Sequence, residues 1–175
     1  MTDSIPYGYR IRSACAGDLK FLKEIELAAA RIFPTDVIPE DVRNQALSME
    51  TLVSAQKEGR LIIAVDKKEK PVGFIAVRRN VDEAYIIELD VHPDHQREML
   101  GRALIGKAVE WSISQKCSAL TLTTFSSVPW NAPYYERLGF KRLKDDEISD
   151  ALIHQLMFED KLGLKDRVAM RKMLL

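Results

Sequence analysis

The sequence predicts an α/β fold in which helices cover both faces of a mixed, mostly antiparallel central sheet. Two β-rich runs, residues 60–66 and 71–79, are joined by the charged turn KKEK, which is a hairpin signature. Further along, a long amphipathic segment at residues 99–116 separates the strand candidates 84–91 and 119–124. Parallel neighbours need such a crossover, so we expect one parallel strand pair among antiparallel ones.

The other elements are read from hydrophobic periodicity and from Gly and Pro positions. We expect strands at residues 7–13, from Phe140 and at 167–173, helices at 19–33, 132–138 and 150–162, and one or two shorter helices within 42–57. Pro34 and Pro39 bracket the loop FPTDVIPED, which is placed to cover a site. No repeat or flexible linker divides the sequence, so we expect a single domain over residues 1–175.

Composition restricts the class of protein. The chain has 175 residues, of which 46% are hydrophobic, with 26 basic residues against 26 acidic ones. A disordered chain or a nucleic-acid partner is not expected at zero net charge. The start MTDSIPYGYR lacks a secretory signal and no run approaches about 20 apolar residues, which predicts a cytoplasmic protein without a membrane partner. Cys15 and Cys117 lack metal-finger spacing and are expected to be plain thiols.

A polar loop follows the first strand of the predicted parallel pair. Residues 92–101 read HPDHQREMLG and open the long crossover helix. Unpaired N–H groups at a helix start, together with the positive end of the helix dipole, can bind a phosphate or pyrophosphate. The alternative is a helix that simply begins after a strand.

A second motif follows the other strand of the pair, where residues 128–140 read VPWNAPYYERLGF. The helix-opening loop Gln96-Arg97-Glu98-Met99-Leu100-Gly101, followed by Asn131, a Tyr-Tyr pair and Gly-Phe, resembles the GNAT superfamily of acetyl-CoA-dependent N-acetyltransferases. The element order agrees from residue 7 to residue 173. This resemblance implies the GNAT-like acyl-CoA N-acyltransferase fold, with a splayed parallel strand pair, and one N-acetyltransferase domain over residues 1–175.

The resemblance also implies where acetyl-CoA binds: the pantetheine arm pairs with the backbone of strand 84–91 and the loop amides hold the pyrophosphate. The residues assigned to the coenzyme in this way are Leu89, Asp90, Val91, Gln96, Arg97, Glu98, Met99, Leu100, Gly101, Arg102, Asn131 and Tyr135. Met99 stands where the family has its first loop glycine, and coenzyme binding is retained if Met99 keeps an ordinary φ and turns its side chain from the phosphates. An alternative role for Asn131 is to cap the short helix.

Acetyl transfer to an amine needs a group that takes the amine proton and an acid that protonates the departing thiolate. Tyr135 matches the family's tyrosine acid, while Tyr134 is expected to pack; the alternative is a core aromatic pair. For the base we prefer Glu88, which alternation places on one face with Asp90. A solvated or salt-bridged glutamate is the alternative reading of Glu88.

The acceptor is expected to lie against Phe33, Tyr85 and Trp130, each of which also suits a core position. His92 and His95 have the spacing of a metal pair but no third ligand nearby, so no metal is predicted. The leading function is acetylation of a primary amine of a small metabolite. The alternatives are a protein N-terminal or lysine acetyltransferase and a non-catalytic CoA-binding module. A homodimer is considered, in which strand 167–173 would either offer an edge or insert beside the partner's sheet.

Overall fold

The computed structural model describes residues 5–96 and 99–174, and its strands form one seven-stranded sheet. The strands are β1 (Tyr9–Ser13), β2 (Leu61–Asp66), β3 (Pro71–Asn80), β4 (Glu83–Val91), β5 (Ala119–Phe125), β6 (Lys141–Arg142) and β7 (Arg167–Met173). Their spatial order is β1-β2-β3-β4-β5-β7-β6, and only β4 and β5 run parallel. The predicted mixed sheet with one parallel pair is therefore confirmed.

Six α-helices accompany the sheet in the described residues, and the sequence predicted all of them, although α2 begins two residues before the predicted range 42–57. They are α1 (Leu19–Ala30), α2 (Glu40–Arg43), α3 (Met49–Lys57), α4 (Leu100–Ser114), α5 (Ala132–Arg137) and α6 (Asp150–Lys161). Helix α1 ends three residues before the predicted end at Phe33. Pro34 disfavours helical backbone at the residue before it, so Phe33 belongs to the connection to α2 instead.

Alternation along the central strands divides the core between the two faces of the sheet. In β2, Ile62 and Ala64 pack into the cluster that contains Leu104 of α4. Leu61, Ile63 and Val65 point the other way, into the cluster formed with α1 and α3. Helix α6 packs through Leu152 on Tyr85 and Ala169. Helices therefore cover both faces, as predicted.

The parallel strands β4 and β5 pair over a short length only. Their ladder joins Glu83–Tyr85 to Ala119–Thr121, and the described residues show no pairing between the two strands beyond it. The remaining residues of β4, 86–91, continue beside β3 alone. The strands thus separate toward their carboxyl ends, which confirms the predicted splayed pair and opens a gap in the middle of the sheet.

A β-bulge in β4 decides which side chains face this gap. Opposite β3 the register jumps from Glu88 beside Ala76 to Ile86 beside Val77, which leaves Ile87 as an extra residue. Strict alternation would group Glu88 with Ile86, which packs toward α4. The bulge instead turns Glu88 and Asp90 toward α1, while Leu89 packs on the α4 side.

The last strand does not form an edge of the sheet. Strand β7 lies between β5 and β6 and pairs with both, so the expected use of residues 167–173 as a dimer edge is wrong. A homodimer stays a prediction that would need another surface. Among the described residues, no helix combines the length and apolar character needed to cross a membrane.

Met99 has a left-handed backbone immediately before α4. Its φ is 57°, so Met99 adopts the conformation that glycine favours and does not keep an ordinary φ. Glycine adopts this conformation without a steric penalty, whereas a residue with a Cβ pays about 1–2 kcal/mol. The Met99 carbonyl accepts the Ala103 N–H at 3.1 Å, and Leu100 behind it is buried. The first turn of α4 therefore forms in spite of the side chain at position 99.

We predict that Met99→Gly raises the melting temperature by about 2–4 °C, because relief of the left-handed strain exceeds the entropy cost of glycine by up to about 1 kcal/mol. Thermal unfolding measures the effect. As a control, Glu110→Gly at an exposed position inside α4 should lower the free energy of unfolding by about 1 kcal/mol. Destabilisation by Met99→Gly would contradict a strained backbone at Met99.

Candidate active site

Two cavities meet where β4 and β5 separate. The outer groove, of about 630 Å³, lies between the end of β4 and the start of α4, and is lined by Val91, Gln96, Met99, Gly101, Trp130 and Tyr134. The acidic cavity, of about 490 Å³, extends toward α6, and is lined by Glu26, Tyr85, Glu88, Thr123, Glu159 and Arg167. Both cavities share Phe33, Leu89, Asp90, Asn131 and Tyr135. A ligand in the outer groove would therefore contact a ligand in the acidic cavity.

The start of α4 forms one wall of the outer groove. Gln96 donates from Nε2 to the carbonyl of Val91 at 3.2 Å, which folds the loop back onto the strand end. A Cβ on Gly101 would lie 3.1 Å from the Tyr134 hydroxyl, so glycine permits this close approach. Arg102 is exposed in the first turn of α4. Two residues assigned to the coenzyme, Arg97 and Glu98, lie outside the described residues.

Asn131 uses its side chain for a bond across the sheet end and not for capping. Its Nδ2 donates to the Thr124 hydroxyl at 2.9 Å, and the side chain makes no capping hydrogen bond to α5. The backbone carbonyl accepts the N–H groups of Tyr134 and Tyr135. The alternative role as a side-chain cap is therefore wrong, while contact with the coenzyme arm stays a prediction for a residue that lines both cavities.

Tyr135 stands at the junction of the cavities, whereas Tyr134 lines only the outer groove. The Tyr135 ring makes edge contacts with Tyr134 and with Phe140, at centroid distances of 5.5 and 5.6 Å. Burial raises the pKa of its phenol above the usual value, and Tyr134, Glu88 and Asp90 raise it further. The phenol is therefore protonated at neutral pH and is able to act as a proton donor.

Three carboxyl groups converge beside Tyr135. Each of Glu26, Glu88 and Asp90 offers an oxygen, and these oxygens lie within 4.8 Å of one another; we call these residues the acidic cluster. The bulge supplies Glu88 and Asp90 from β4, and α1 supplies Glu26. Glu26 is not among the site residues predicted from the sequence. The sequence feature that indicates Glu26 is a carboxylate on the apolar face of α1, among Leu22, Ile25 and Ala29.

Burial and mutual repulsion disfavour the charged forms of the acidic cluster. Burial raises the pKa of Glu26 to about 8, with a further contribution from Glu88 and a partial offset from the Leu47 N–H. Burial raises the pKa of Glu88 to about 7, although the Leu89 N–H and Arg167 lower it. The pKa of Asp90 lies well above its usual value. A carboxylate that titrates near neutral pH is a suitable general base.

A hydrogen-bonded network closes the far end of the acidic cavity. The Tyr85 hydroxyl bonds to Thr123 at 2.8 Å, and Thr123 donates to Glu159 at 2.6 Å. Arg167 donates from Nε to the other oxygen of Glu159 at 2.8 Å. The guanidinium of Arg78 stacks 4.5 Å from the centre of the Tyr85 ring. Tyr85 therefore forms a fixed part of the cavity floor, where burial raises its pKa to about 12.

The aromatic residues expected around the acceptor are divided between the cavities. Phe33 lines both and lies 5.6 Å from Phe125 and 5.8 Å from Trp130 between ring centroids. Trp130 lines the outer groove and not the acidic cavity, and its contact with the acceptor stays a prediction. Phe33 and Tyr85 do line the acidic cavity.

The histidines of the β4–α4 loop make other contacts. His95 Nδ1 bonds to the Tyr9 hydroxyl at 2.9 Å, and His92 Nδ1 accepts the Asp94 N–H at 3.3 Å. Within the described part of the chain, the side chains close enough to share a metal ion are the carboxyls of the acidic cluster and do not include His92 or His95.

We predict that the ligand-free protein loses stability as pH rises from about 5 to 9. The folded state holds protons on Glu26 and Glu88 up to pKa values of about 8 and about 7, whereas the unfolded chain has released them near its ordinary value of 4.5. Raising the pH through that window therefore favours unfolding. Glu26→Gln flattens the curve of melting temperature against pH, and Glu24→Gln, exposed on the same helix, leaves it unchanged. Equal slopes for wild type and Glu26→Gln would contradict the assignment.

Comparisons with known proteins agree with this geometry. The model of the Acetyltransferase (GNAT) family matches residues 22–140. The ribosomal protein bS18-alanine N-acetyltransferase of Escherichia coli strain K12 is 31% identical over 93 residues, which are 53% of this chain. The match spans 63% of that relative, less than two thirds of its length.

Solved structures share the fold. N-acetylglutamate synthase from Neisseria gonorrhoeae, complexed with coenzyme A and N-acetyl-glutamate, superposes with a TM-score of 0.71 at 16% identity, covering 95% of this chain and 35% of that one. PaiA N-acetyltransferase from Thermoplasma acidophilum, in complex with coenzyme A, gives 0.70 at 15% identity, covering 94% and 98%. The Escherichia coli S18-alanine N-acetyltransferase gives 0.63 at 23%, covering 95% and 94%. With a family model that spans more than half of its length, this chain belongs to the Acetyltransferase (GNAT) family.

Proposed function

We propose that this protein transfers an acetyl group from acetyl-CoA to a primary amine of a small molecule bound in the acidic cavity. The observation that carries the proposal is the pairing of chemistry at the junction of the two cavities. Tyr135 offers a protonated phenol there, and Glu88 offers a carboxyl group whose pKa is about 7. Both groups flank the gap between β4 and β5.

The outer groove has the features that acetyl-CoA requires. Along residues 86–91 no strand of the described part of the chain pairs with the side of β4 that faces β5, so its backbone is available to the pantetheine amides as to an added strand. The start of α4 at Leu100 presents N–H groups and the positive end of the helix dipole to the pyrophosphate. In this arrangement the thioester end of the coenzyme reaches the junction at Tyr135 and Asn131.

The residues at the junction have complementary tasks in the reaction. Acetyl-CoA supplies an activated acetyl group as a thioester. Glu88 takes a proton from the acceptor ammonium, and the amine nitrogen then bonds to the acetyl carbon as the C–S bond breaks. Tyr135 donates its proton to the departing sulfur, and the second proton that the nitrogen loses on becoming an amide restores the Tyr135 phenol. Removing the amine proton matters because only about one part in a thousand of a lysine-like amine is neutral near pH 7.4.

The acidic cavity favours a small acceptor. Its volume of about 490 Å³ is that of a small-molecule site, and residues 31–48, which we call the covering segment, contribute part of its wall through Phe33, Val42 and Leu47. A second candidate is a protein N-terminal amine, which the similarity to the bS18-alanine N-acetyltransferase favours. An extended peptide would then have to pass the covering segment.

Thiol release from acetyl-CoA tests the proposal. We expect release that depends on an amine, with higher kcat/KM for small primary amines and amino-acid amides than for hexapeptides with a free N-terminal alanine. A preference for the peptides would replace the small acceptor by a protein terminus. If neither the small amines nor the peptides cause thiol release although CoA binds, the protein is a non-catalytic CoA-binding module and the proposal is overturned.

We predict that Tyr135→Phe lowers turnover about ten- to a thousand-fold while coenzyme affinity changes little, because a proton donor is lost and the ring packing is kept. Steady-state kinetics with calorimetry of CoA binding measures both quantities. The matched control is Tyr134→Phe, which removes the neighbouring phenol from the outer groove and should have little effect. Unchanged turnover in Tyr135→Phe, with chemistry rate-limiting, would assign the acid to another group.

We predict that Glu88→Gln slows acetylation at neutral pH and that much of the loss returns at high pH, where more of the acceptor is already neutral. In the wild type, activity should rise with pH as Glu88 loses its proton near its pKa of about 7. The pH-rate profiles of both proteins test this. A profile of unchanged shape with a lower melting temperature would indicate a structural carboxylate only.

A further inference from the structure

We propose that Glu26 is a positioning residue of the acceptor site, which fastens the covering segment over the acidic cavity and directs the acceptor ammonium toward Glu88. The proposal rests on the proposed function, because it assigns a role within the same cavity. It makes a primary ammonium ion, and not a neutral hydroxyl or a quaternary ammonium ion, the group that this cavity is built to receive.

Glu26 breaks the pattern of its helix. Positions 22, 25 and 29 of α1 carry the buried side chains Leu22, Ile25 and Ala29, and Glu26 lies on the same face. A carboxylate at such a position gives up solvation, which is costly unless another interaction compensates. Local rules of this kind are most often broken at functional sites.

One backbone group compensates part of that cost. The N–H of Leu47 donates to both oxygens of Glu26, at 3.1 and 3.0 Å. Leu47 belongs to the connection between α2 and α3, at the end of the covering segment. Other side-chain hydrogen bonds of this segment in the described residues are local, such as those from Arg43 to the Phe33 carbonyl and from Asn44 to the Glu40 carbonyl. Glu26 therefore ties the covering segment to α1.

The second task of Glu26 follows from its distance to β4. Its carboxyl lies within 4.8 Å of those of Glu88 and Asp90. An ammonium group has three N–H donors, and a primary ammonium ion can direct one to each carboxyl. Such an ion also relieves the repulsion among the three groups, since it replaces shared protons by a positive charge.

The remaining charged groups around the acidic cavity do not offer the same partner. Arg43 of α2 and Arg167 of β7 are cationic and repel an ammonium ion. Glu159 of α6 is already bonded to Arg167 and to Thr123. The phenol of Tyr135 on α5 is protonated because burial raises its pKa. The acidic cluster is therefore the part of the cavity that attracts a cation. Within this cluster Glu26 comes from α1, whereas the other two carboxyls come from β4.

Binding of n-butylammonium chloride, followed by NMR on the ligand-free enzyme, tests the inference without acetyl transfer. Tetramethylammonium chloride, which has the same charge and no N–H donor, is the control ligand. Glu26→Gln keeps an oxygen for the Leu47 N–H but cannot lose a proton to become a carboxylate when the ammonium ion binds, whereas Glu26→Ala removes both the oxygen and the ionisable group. Glu24→Gln makes the same charge change on the exposed face of α1. Hydrogen exchange of the Leu47 amide reports the tether.

We expect wild type and Glu24→Gln to bind n-butylammonium more tightly than tetramethylammonium. Glu26→Gln should bind n-butylammonium at least about tenfold more weakly than wild type does, as for loss of a hydrogen bond to a charged group. The Leu47 amide should stay protected in Glu26→Gln and exchange faster in Glu26→Ala. Equal binding by wild type and Glu26→Gln, equal binding of the two ions, or unchanged exchange in Glu26→Ala overturns the inference.

Steady-state kinetics distinguishes a failure of this inference from a failure of the proposed function. If acetylation occurs, Glu26→Gln should raise the KM of the amine much more than it lowers kcat and should leave the KM of acetyl-CoA unchanged. A fall in kcat alone would contradict a positioning role. If no amine is acetylated but n-butylammonium binding still depends on Glu26, the proposed function fails and the cation site stands.

Discussion

The short pairing of the two parallel strands is the constraint on which the site depends. Three residues of β4, Glu83–Tyr85, pair with Ala119–Thr121, and the strands then separate. The paired end is held by the Thr121 hydroxyl, which donates to the Ala84 carbonyl at 2.9 Å, and by the ion pair between Glu83 and Arg171. Beyond the paired end, backbone groups of β4 that a longer ladder would pair with β5 stay available to a ligand. Both cavities open into this gap.

The bulge at Ile87 adds chemistry to this geometry. It places Glu88 and Asp90 on the α1 side while Leu89 packs toward α4, so the same strand presents carboxyls to one cavity and backbone to the other. Burial raises the pKa values of Glu26 and Glu88, with repulsion from Glu88 adding to the rise for Glu26, into the range where a base is useful at neutral pH. The cost is a less stable ligand-free protein at high pH.

Much of this architecture could be predicted from the sequence, because hydrophobic periodicity and the loop motifs are local signals. Tyr135 was identified by the register of its motif, and Glu88 by its place near the strand end. Three features could not be found in this way. Glu26 meets Glu88 only through packing of α1 on β4, Met99 takes a left-handed φ that its residue type disfavours, and the side chain of Asn131 bonds to Thr124 instead of capping α5. Each depends on tertiary contacts that override local preference.

A crystal structure with CoA bound measures most directly whether the splayed strands hold the coenzyme and deliver its sulfur to the junction. We expect the pantetheine arm to run along the backbone of Leu89–Val91, with the sulfur within hydrogen-bonding reach of the Tyr135 hydroxyl and facing the acidic cavity. Coenzyme bound away from β4, or a sulfur remote from Tyr135 with the acidic cavity sealed from it, would contradict the account.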